Sequence, residues 1–424
     1  VDLYNEGIDI PEVDTLLLLR PTESLTIYLQ QLGRGLRLHD EKPQLTVLDF
    51  VAPQHRRFRY ADRFRALSNQ PRRRVDQQVE HGFPWLPSGC LVDLDRVARE
   101  HVLENIRQQL GRRKSQLIQE LCRLVRESSA PSYAAMLDWL HIDEPDELLR
   151  HGPPCLLRAK AKGESLEAIS QYEKPLTRGL RQLAQCDDIE LLDTLIQHLD
   201  GAGPHINRLR LTMAYALIWP NQRPDAGTFD AIDQFLHQHD VLRQDLIAVA
   251  NRRRGELLPT SGIYLEATGP LELHASYTRE QILLALGKGS LEKPHASREG
   301  LLHVPERQVD ALFVTIDKAE ADFSPTTLYE DYAITDRLFH WQSQSQIAPE
   351  TPTGQRHIHH AERGYQPMLF IRSRRQLANG LTAPFYFCGP LKYQRHEGSR
   401  PMSIIWELEY PLPAHLLREA RLVG

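Results

Sequence analysis

The clause QQLGRGLR places Gln30, Gly33, Arg34 and Arg37 in one short stretch near the start of the chain. Arginine presents a planar, permanently charged fork that matches phosphate oxygens, and glycine lets other groups approach the backbone closely. Upstream, NEGIDIP adds Gly7 and Asp9, the second a carboxylate able to accept from a sugar hydroxyl or to hold an arginine. These are residue types for gripping a phosphate. A cradle of backbone amides of the form G-x-x-x-x-G-K-[ST] should accompany them, and the sequence does not contain it. Its nearest imitation, LALGKGS at 284–290, lacks the first glycine and follows a helical run instead of a strand-like one.

The segments around these residues alternate in character. TLLLLR and QLTVLDFV are continuous apolar runs of the kind found in buried parallel strands. Between them Leu25, Tyr28, Leu29 and Leu32 recur at helical spacing. Strand, helix, strand is half of a doubly wound α/β unit, and the opening VDLYNEGIDI reads as the end of a strand whose sheet is cut short. From about residue 94 to 250 the periodicity is helical: Leu103, Ile106, Leu110, Leu117, Leu121 and Leu124 form a stripe, and Asp187 and Asp188 stand where cap and first-turn acids belong. LTMAYALIWP is a core helix or strand. Beyond residue 261 the pattern turns to short β-rich runs, GIYLEA, LELHAS, DALFVTID, MLFIRS, PFYFC and SIIWELEY, interrupted by one helix, REQILLALG. In SIIWELEY, Ile404, Trp406, Leu408 and Tyr410 share one face.

NEGIDIP followed by QQLGRGLR resembles motifs V and VI in the second RecA-like lobe of superfamily II helicases of the DEAD/DEAH-box type. Gln30, Gly33, Arg34 and Arg37 meet the pattern Q-x-x-G-R-x-x-R, and Gly7 and Asp9 meet motif V. The resemblance implies that Arg34 and Arg37 are arginine fingers, with Gln30 as a third catalytic residue beside the γ-phosphate and Gly7, Asp9 and Gly33 in nucleotide binding. It implies that Thr22 or Ser24 of RPTES donates to a nucleic-acid phosphate, though either also suits a helix cap. ATP and Mg2+ would then be held mainly by a complementary N-terminal lobe. The chain reads as the C-terminal part of a larger helicase, binding no cofactor alone and inactive alone. The acid box has only an out-of-order imitation, DEPD at 143–146, which reads more simply as an acid-rich helix start.

The tail also carries a resemblance. YTREQILLALG, LFVTIDK, FHWQSQSQ, LFIRS and PFYFCGPLKYQRHEGSRPMSIIWELEYPLP resemble a C-terminal domain of unknown function found in certain bacterial helicases of this superfamily. That implies a bacterial source, a DNA substrate and a role in repair, restriction or phage defence. Within the tail, Trp341 can stack a base and Gln342 can read an edge, with Arg372, Arg374, Arg375, Lys392 and Arg395 on the backbone; a buried tryptophan with polar neighbours is the plainer alternative. RHIHH with His340 and Cys388 provides only one ligand cluster where zinc sites show two, so no metal is expected. DALFVTIDK offers Asp310, Asp317 and Lys318 to a nuclease, but the last two are adjacent and face opposite sides of a strand.

Composition bounds the rest. A chain of 424 residues calls for two or three domains. A net charge of −5 carries no global nucleic-acid signature, yet eight arginines face one acid between His55 and Val75, a solvated face or a phosphate-binding one. No apolar run is long enough to cross a membrane, and five scattered cysteines without CxxC spacing fit reduced thiols in the cytoplasm. The expected architecture is multidomain α/β plus α plus α+β: a partial RecA-like lobe at 1–61, a basic linker and helical region at 62–255, and a β-rich, barrel-like domain at 262–424. The expected partners are DNA and the complementary lobe. The rival readings are a restriction-type subunit whose tail cuts DNA and a tail that only docks a protein.

Overall fold

A computed structural model describes residues 11–19, 25–37, 39, 42, 44–49, 60, 63–64, 67, 79, 83, 91–110, 114–128, 130–140, 142, 144–201, 207–225, 227–257, 261–316, 331–377 and 379–420. The chain divides into two compact units, Val1–Gln116 and Leu117–Gly424.

In the first unit β1 (Thr15–Leu18) and β2 (Thr46–Asp49) pair in parallel, Thr15 opposite Thr46, with α1 (Leu25–Gly35) as the crossover. This is the strand–helix–strand order that the apolar runs predict. Leu16 is buried against α1, whereas Leu17 and Leu19 are 57% and 70% exposed. Tyr60, Phe64, Val79, Phe83 and Val102 form a separate small core, the last on α2 (Arg96–Leu110).

The second unit begins with a helical array: α3 (Lys114–Glu127), α4 (Tyr133–Leu140), α5 (Pro145–Leu149), α6 (Pro154–Lys162), α7 (Glu167–Ser170), α8 (Glu173–Leu183), α9 (Ile189–Leu199), α10 (Arg208–Ile218), α11 (Phe229–Gln238) and α12 (Asp240–Glu256). The expected leucine stripe thus belongs to two helices, and Leu117, Leu121 and Leu124 are the buried face of α3. LTMAYALIWP resolves as helix, buried from Met213 to Ile218. α8 and α10 touch at Gly179, where an added Cβ would lie 1.8 Å from the Ile218 carbonyl oxygen, so no side chain fits there.

The strands follow: β3 (Ser276–Tyr277), then α13 (Arg279–Ala285), β4 (Leu301–Val304), β5 (Val309–Thr315), β6 (Tyr332–Ala333), β7 (Leu338–Gln342), α14 (Pro352–Ile358), β8 (Gln366–Arg372), β9 (Phe385–Glu397), β10 (Ser403–Leu408) and α15 (Ala414–Ala420). Their order in the sheet is β4-β5-β8-β9-β10-β7-β6, with β3 beside β9; β5 and β8 run parallel and the other neighbours antiparallel. The barrel-like closure expected from the sequence is not adopted. β4 and β6 end the sheet as separate edges, and each face meets its own core. Val309, Ala311 and Phe313 of β5 join the helices' core, while Leu312 and Val314 pack with Ile404, Trp406 and Leu408. A sheet buried on both sides has no need to close on itself, and its inner strands read as unbroken apolar runs.

Two of the predicted strands form only in traces. GIYLEA and LELHAS make one isolated bridge, Tyr264 with Glu272, and a 3-10 turn over Glu266–Thr268, and of LELHAS only Ser276 enters a strand, β3. Helix and sheet are instead joined by buried polar contacts. Asp188 caps α9 by accepting from Leu191 N, and its other oxygen accepts from the Tyr277 hydroxyl at 2.6 Å. Asp187 accepts from the amide and hydroxyl of Ser276 at 2.7 and 2.8 Å. Among the described residues, no helix is long and apolar enough to cross a membrane.

Candidate functional site

α1 sorts its residues by face. Tyr28, Leu32 and Gly35 are buried, and at about 100° per residue Gln30, Gly33 and Arg34 project to the other side, while Arg37 lies two residues past the helix end. Gln30, Gly33 and Arg37 are exposed and Arg34 is half-buried. The inner face is tight: a Cβ on Gly35 would stand 2.8 Å from Leu16 Cδ1 and 2.9 Å from both Leu45 Cδ atoms. The Lys42 ammonium donates to the Gly35 carbonyl at 2.9 Å and to Pro11 O at 2.8 Å, placing a cation at the helix C-terminus where the dipole favours it.

A third arginine in this unit turns inward. Arg63 Nη1 bonds Asp49 Oδ2 at 2.7 Å, and its guanidinium carbon lies 4.4 Å over the Tyr28 ring. Burial first, and then the Asp49 charge, push the Tyr28 phenol up to about 12 against the pull of Arg63. Gly7, Asp9, Thr22 and Ser24 lie outside the described residues, as do most arginines between His55 and Val75.

The tail residues singled out in the sequence are not gathered at one point. Trp341 is 4% exposed and meets His357 edge-on at 5.5 Å, so its ring is part of the core. Gln342 closes β7 and its amide donates to Asp331. Arg374 and Arg375 are exposed. Arg372 is half-buried: its guanidinium carbon stands 4.4 Å over Phe385, and its Nε donates to Thr315 Oγ1 at 2.9 Å. Lys288 of LALGKGS pairs with Glu306 at 2.9 Å, and Asp146 of DEPD lies in the first turn of α5, where it holds Arg181.

The most closely knit polar group in the tail surrounds Asp310, which is fully buried on β5. His303 Nδ1 on β4 lies 2.7 Å from one carboxylate oxygen, and Arg356 Nε on α14 donates to the other at 2.7 Å. His357 Nε2 is 3.5 Å from that second oxygen, near enough to act through charge but too far for a well-formed bond. Burial alone would raise the Asp310 pKa; His357 and Arg356 outweigh it and hold the carboxyl at about 2. Both oxygens are thus engaged by protein groups, His303 on one and Arg356 on the other, which leaves little of Asp310 for the metal that a nuclease role would require. Asp317 and Lys318 lie outside the described residues.

The histidines of RHIHH diverge. His357 is buried, His359 is beside Glu362, and His360 accepts from Tyr393 N and bonds Tyr365 O through its other nitrogen. Among the described residues, no group of three or more His, Cys, Asp or Glu side chains could hold a metal ion. Burial raises the Cys388 thiol far above its ordinary range. Sequence reasoning passed over Arg279, which follows the N-cap Thr278 and reads simply as a helix start.

Comparison with known proteins adds three findings. Residues 271–420 match a family model described as a domain of unknown function, DUF3427. A stretch of 49 residues is 45% identical to the "Putative ATP-dependent helicase IRC3" of Saccharomyces cerevisiae, covering 12% of this chain and 7% of that protein. A stretch of 55 residues is 40% identical to the "51.5 kDa protein" of a Lactococcus phage, covering 13% of this chain and 12% of that one. The chain is therefore helicase-related over a short stretch, and it spans only a small part of the length of either relative.

Proposed function

We propose that the chain supplies the finger-bearing lobe and the C-terminal domain of a cytoplasmic, bacterial ATP-dependent DNA helicase or translocase of superfamily II, acting in repair, restriction or phage defence. The observation that carries this reading is the parallel β1–α1–β2 unit, whose helix turns Arg34 away from its own core and leads into the exposed Arg37. Similarity to a protein named as a helicase supports it. ATP and Mg2+ would be held mainly by a complementary lobe bearing the phosphate loop. Gly33 suits close approach of a ligand, because nothing lies within 4 Å of a Cβ built there. Gly7 and Asp9 are assigned beside the nucleotide, and Thr22 and Ser24 on the nucleic-acid track.

Phosphoryl transfer spreads charge over the oxygens of the migrating group, and a guanidinium fork delivered from a second lobe lowers that barrier. Gln30 and Arg34 share the face that would meet those oxygens, with the exposed Arg37 just past the helix end. Closure of the two lobes would couple hydrolysis to movement along DNA. In the assembly that hydrolyses ATP, Arg37→Ala should lower turnover by about 10³-fold or more while nucleotide binding persists. Retained turnover removes the finger assignment. Magnesium-dependent cleavage by the tail would favour the restriction-type reading, and absence of DNA binding at low salt would favour protein docking.

A further inference from the structure

The half-buried arginines of the second unit mostly meet carboxylates: Arg158 with Asp245, Arg181 with Asp146, Arg223 with Glu280 and Arg356 with Asp310. Arg279 and Arg372 depart from this pattern. The guanidinium carbon of Arg279 lies 3.9 Å over the Phe313 ring and that of Arg372 lies 4.4 Å over Phe385, while the two rings meet edge to face at 5.2 Å. Two cations thus rest on one aromatic pair, and among the described residues neither forms an ion pair.

Their hydrogen bonds are also incomplete. Arg279 donates through Nε to Ser297 O at 3.0 Å and through Nη2 to Glu299 O, and Arg372 donates through Nε to Thr315 Oγ1. Among the described residues, Nη1 of Arg279 and both Nη atoms of Arg372 make no hydrogen bond. Burial, and next the neighbouring Arg372, lower the Arg279 pKa to about 10, with Glu299 acting weakly the other way. Burial and then Arg375 do the same to Arg372, also to about 10. Both stay charged at neutral pH, so the fold maintains a repulsion that an anion would relieve. The rings hold the cations in place, and the unused donors point to an oxygen-rich ligand.

We infer that Arg279 and Arg372 form a subsite for one phosphate group of a nucleic-acid strand. The subsite rests on the nucleic-acid reading above for the source of its phosphate, and the inorganic ion separates the two. Arg279→Met with Arg372→Met keeps unbranched stems over the rings and removes both charges. With the full chain and a labelled single-stranded DNA oligonucleotide, the double variant should bind at least about tenfold more weakly at low salt. The slope of log K against log[salt] should become shallower by about 0.7, the contribution of one single-strand phosphate. A double variant that melts like wild type and keeps both affinity and slope overturns the subsite. If it does not fold, Arg372→Met alone decides, with weaker binding and a slope change of up to about 0.7 expected, and unchanged affinity and slope overturning the subsite. If wild type ignores the oligonucleotide, stabilisation by inorganic phosphate that the variant loses keeps the subsite and sinks the nucleic-acid reading. No stabilisation of wild type by phosphate sinks the subsite as well.

Discussion

Arg34 stands on the outer side of an eleven-residue helix whose inner side is Tyr28, Leu32 and Gly35, and Arg37 follows the helix end, exposed. Asp310 lies beside the edge strand of a sheet with an apolar core against each face, and His303 and Arg356 engage its two oxygens. The first unit therefore turns charge toward solvent from a thin scaffold, and the second neutralises charge inside a thick one. A buried charge whose lone pairs are satisfied holds elements together and has little left for a ligand. One that no carboxylate pairs with among the described residues, as at Arg279 and Arg372, keeps donors for a ligand. The contrast separates architecture from function without reference to residue type, since arginine appears in both roles.

Removing the Asp310 carboxylate is the most severe way to break this contrast. Asp310→Ala would leave Arg356 and His303 without their shared acceptor in a closed interior, at a cost of about 3–5 kcal/mol. Urea unfolding of the variant checks this. A loss below about 1 kcal/mol, the range of surface pairs, would mean that solvent reaches the site and that the compensation is nominal.

The two buried acids should also pull stability in opposite directions with pH. Asp310 titrates near 2 in the folded chain, below the ordinary carboxylate value, so it contributes stability above pH 4 that is lost as pH falls toward 2. The contribution is about 2 kcal/mol. Asp188 is pushed up to about 6, by burial first, against the bonds from Tyr277 and Leu191. Its folded form holds the proton more tightly, so stability from this group is present below pH 4 and lost as pH rises through 6, by about 3 kcal/mol. Unfolding at pH 4, 5 and 6 should show that decline in wild type and not in Asp188→Asn. An unchanged slope in the variant would assign the decline to another group.

Sequence reading reached the parts of this arrangement that depend on local periodicity. Alternation in SIIWELEY gave Ile404, Trp406 and Leu408 as the buried face of β10, and Asp188 was recognisable as a cap because capping is a contact over three residues. It overread GIYLEA and LELHAS, whose apolar residues bury through turns around Glu272; that side chain accepts from Gly262 N and does not project from a strand. It predicted barrel closure because short β-rich runs look alike whether the sheet closes or is covered on both faces. The Asp310 cluster was legible only in fragments: His303 is seven residues from Asp310, but Arg356 is 46 away, and no local pattern links them. Arg279 was missed for the same reason, since its ring partner lies on a different strand. On α1, by contrast, Gln30, Gly33 and Arg34 sit within one short helix, so the face they share follows from local periodicity alone.

The smallest expected effects test that last agreement most finely, because two glycines two residues apart on α1 have opposite surroundings. An added methyl at Gly35 meets Leu16 and Leu45 at under 3 Å, so Gly35→Ala must displace flexible side-chain ends and should cost about 1–3 kcal/mol. At Gly33 nothing lies within 4 Å, and alanine removes backbone entropy from the unfolded chain, so Gly33→Ala should gain about 0.5–1 kcal/mol. A more stable protein with impaired ATP turnover in the hydrolysing assembly would place the nucleotide against that open face, because folding could not account for the loss. Turnover equal to wild type would remove Gly33 from the nucleotide contacts and leave Arg34 and Arg37 to reach the phosphates without a close backbone approach.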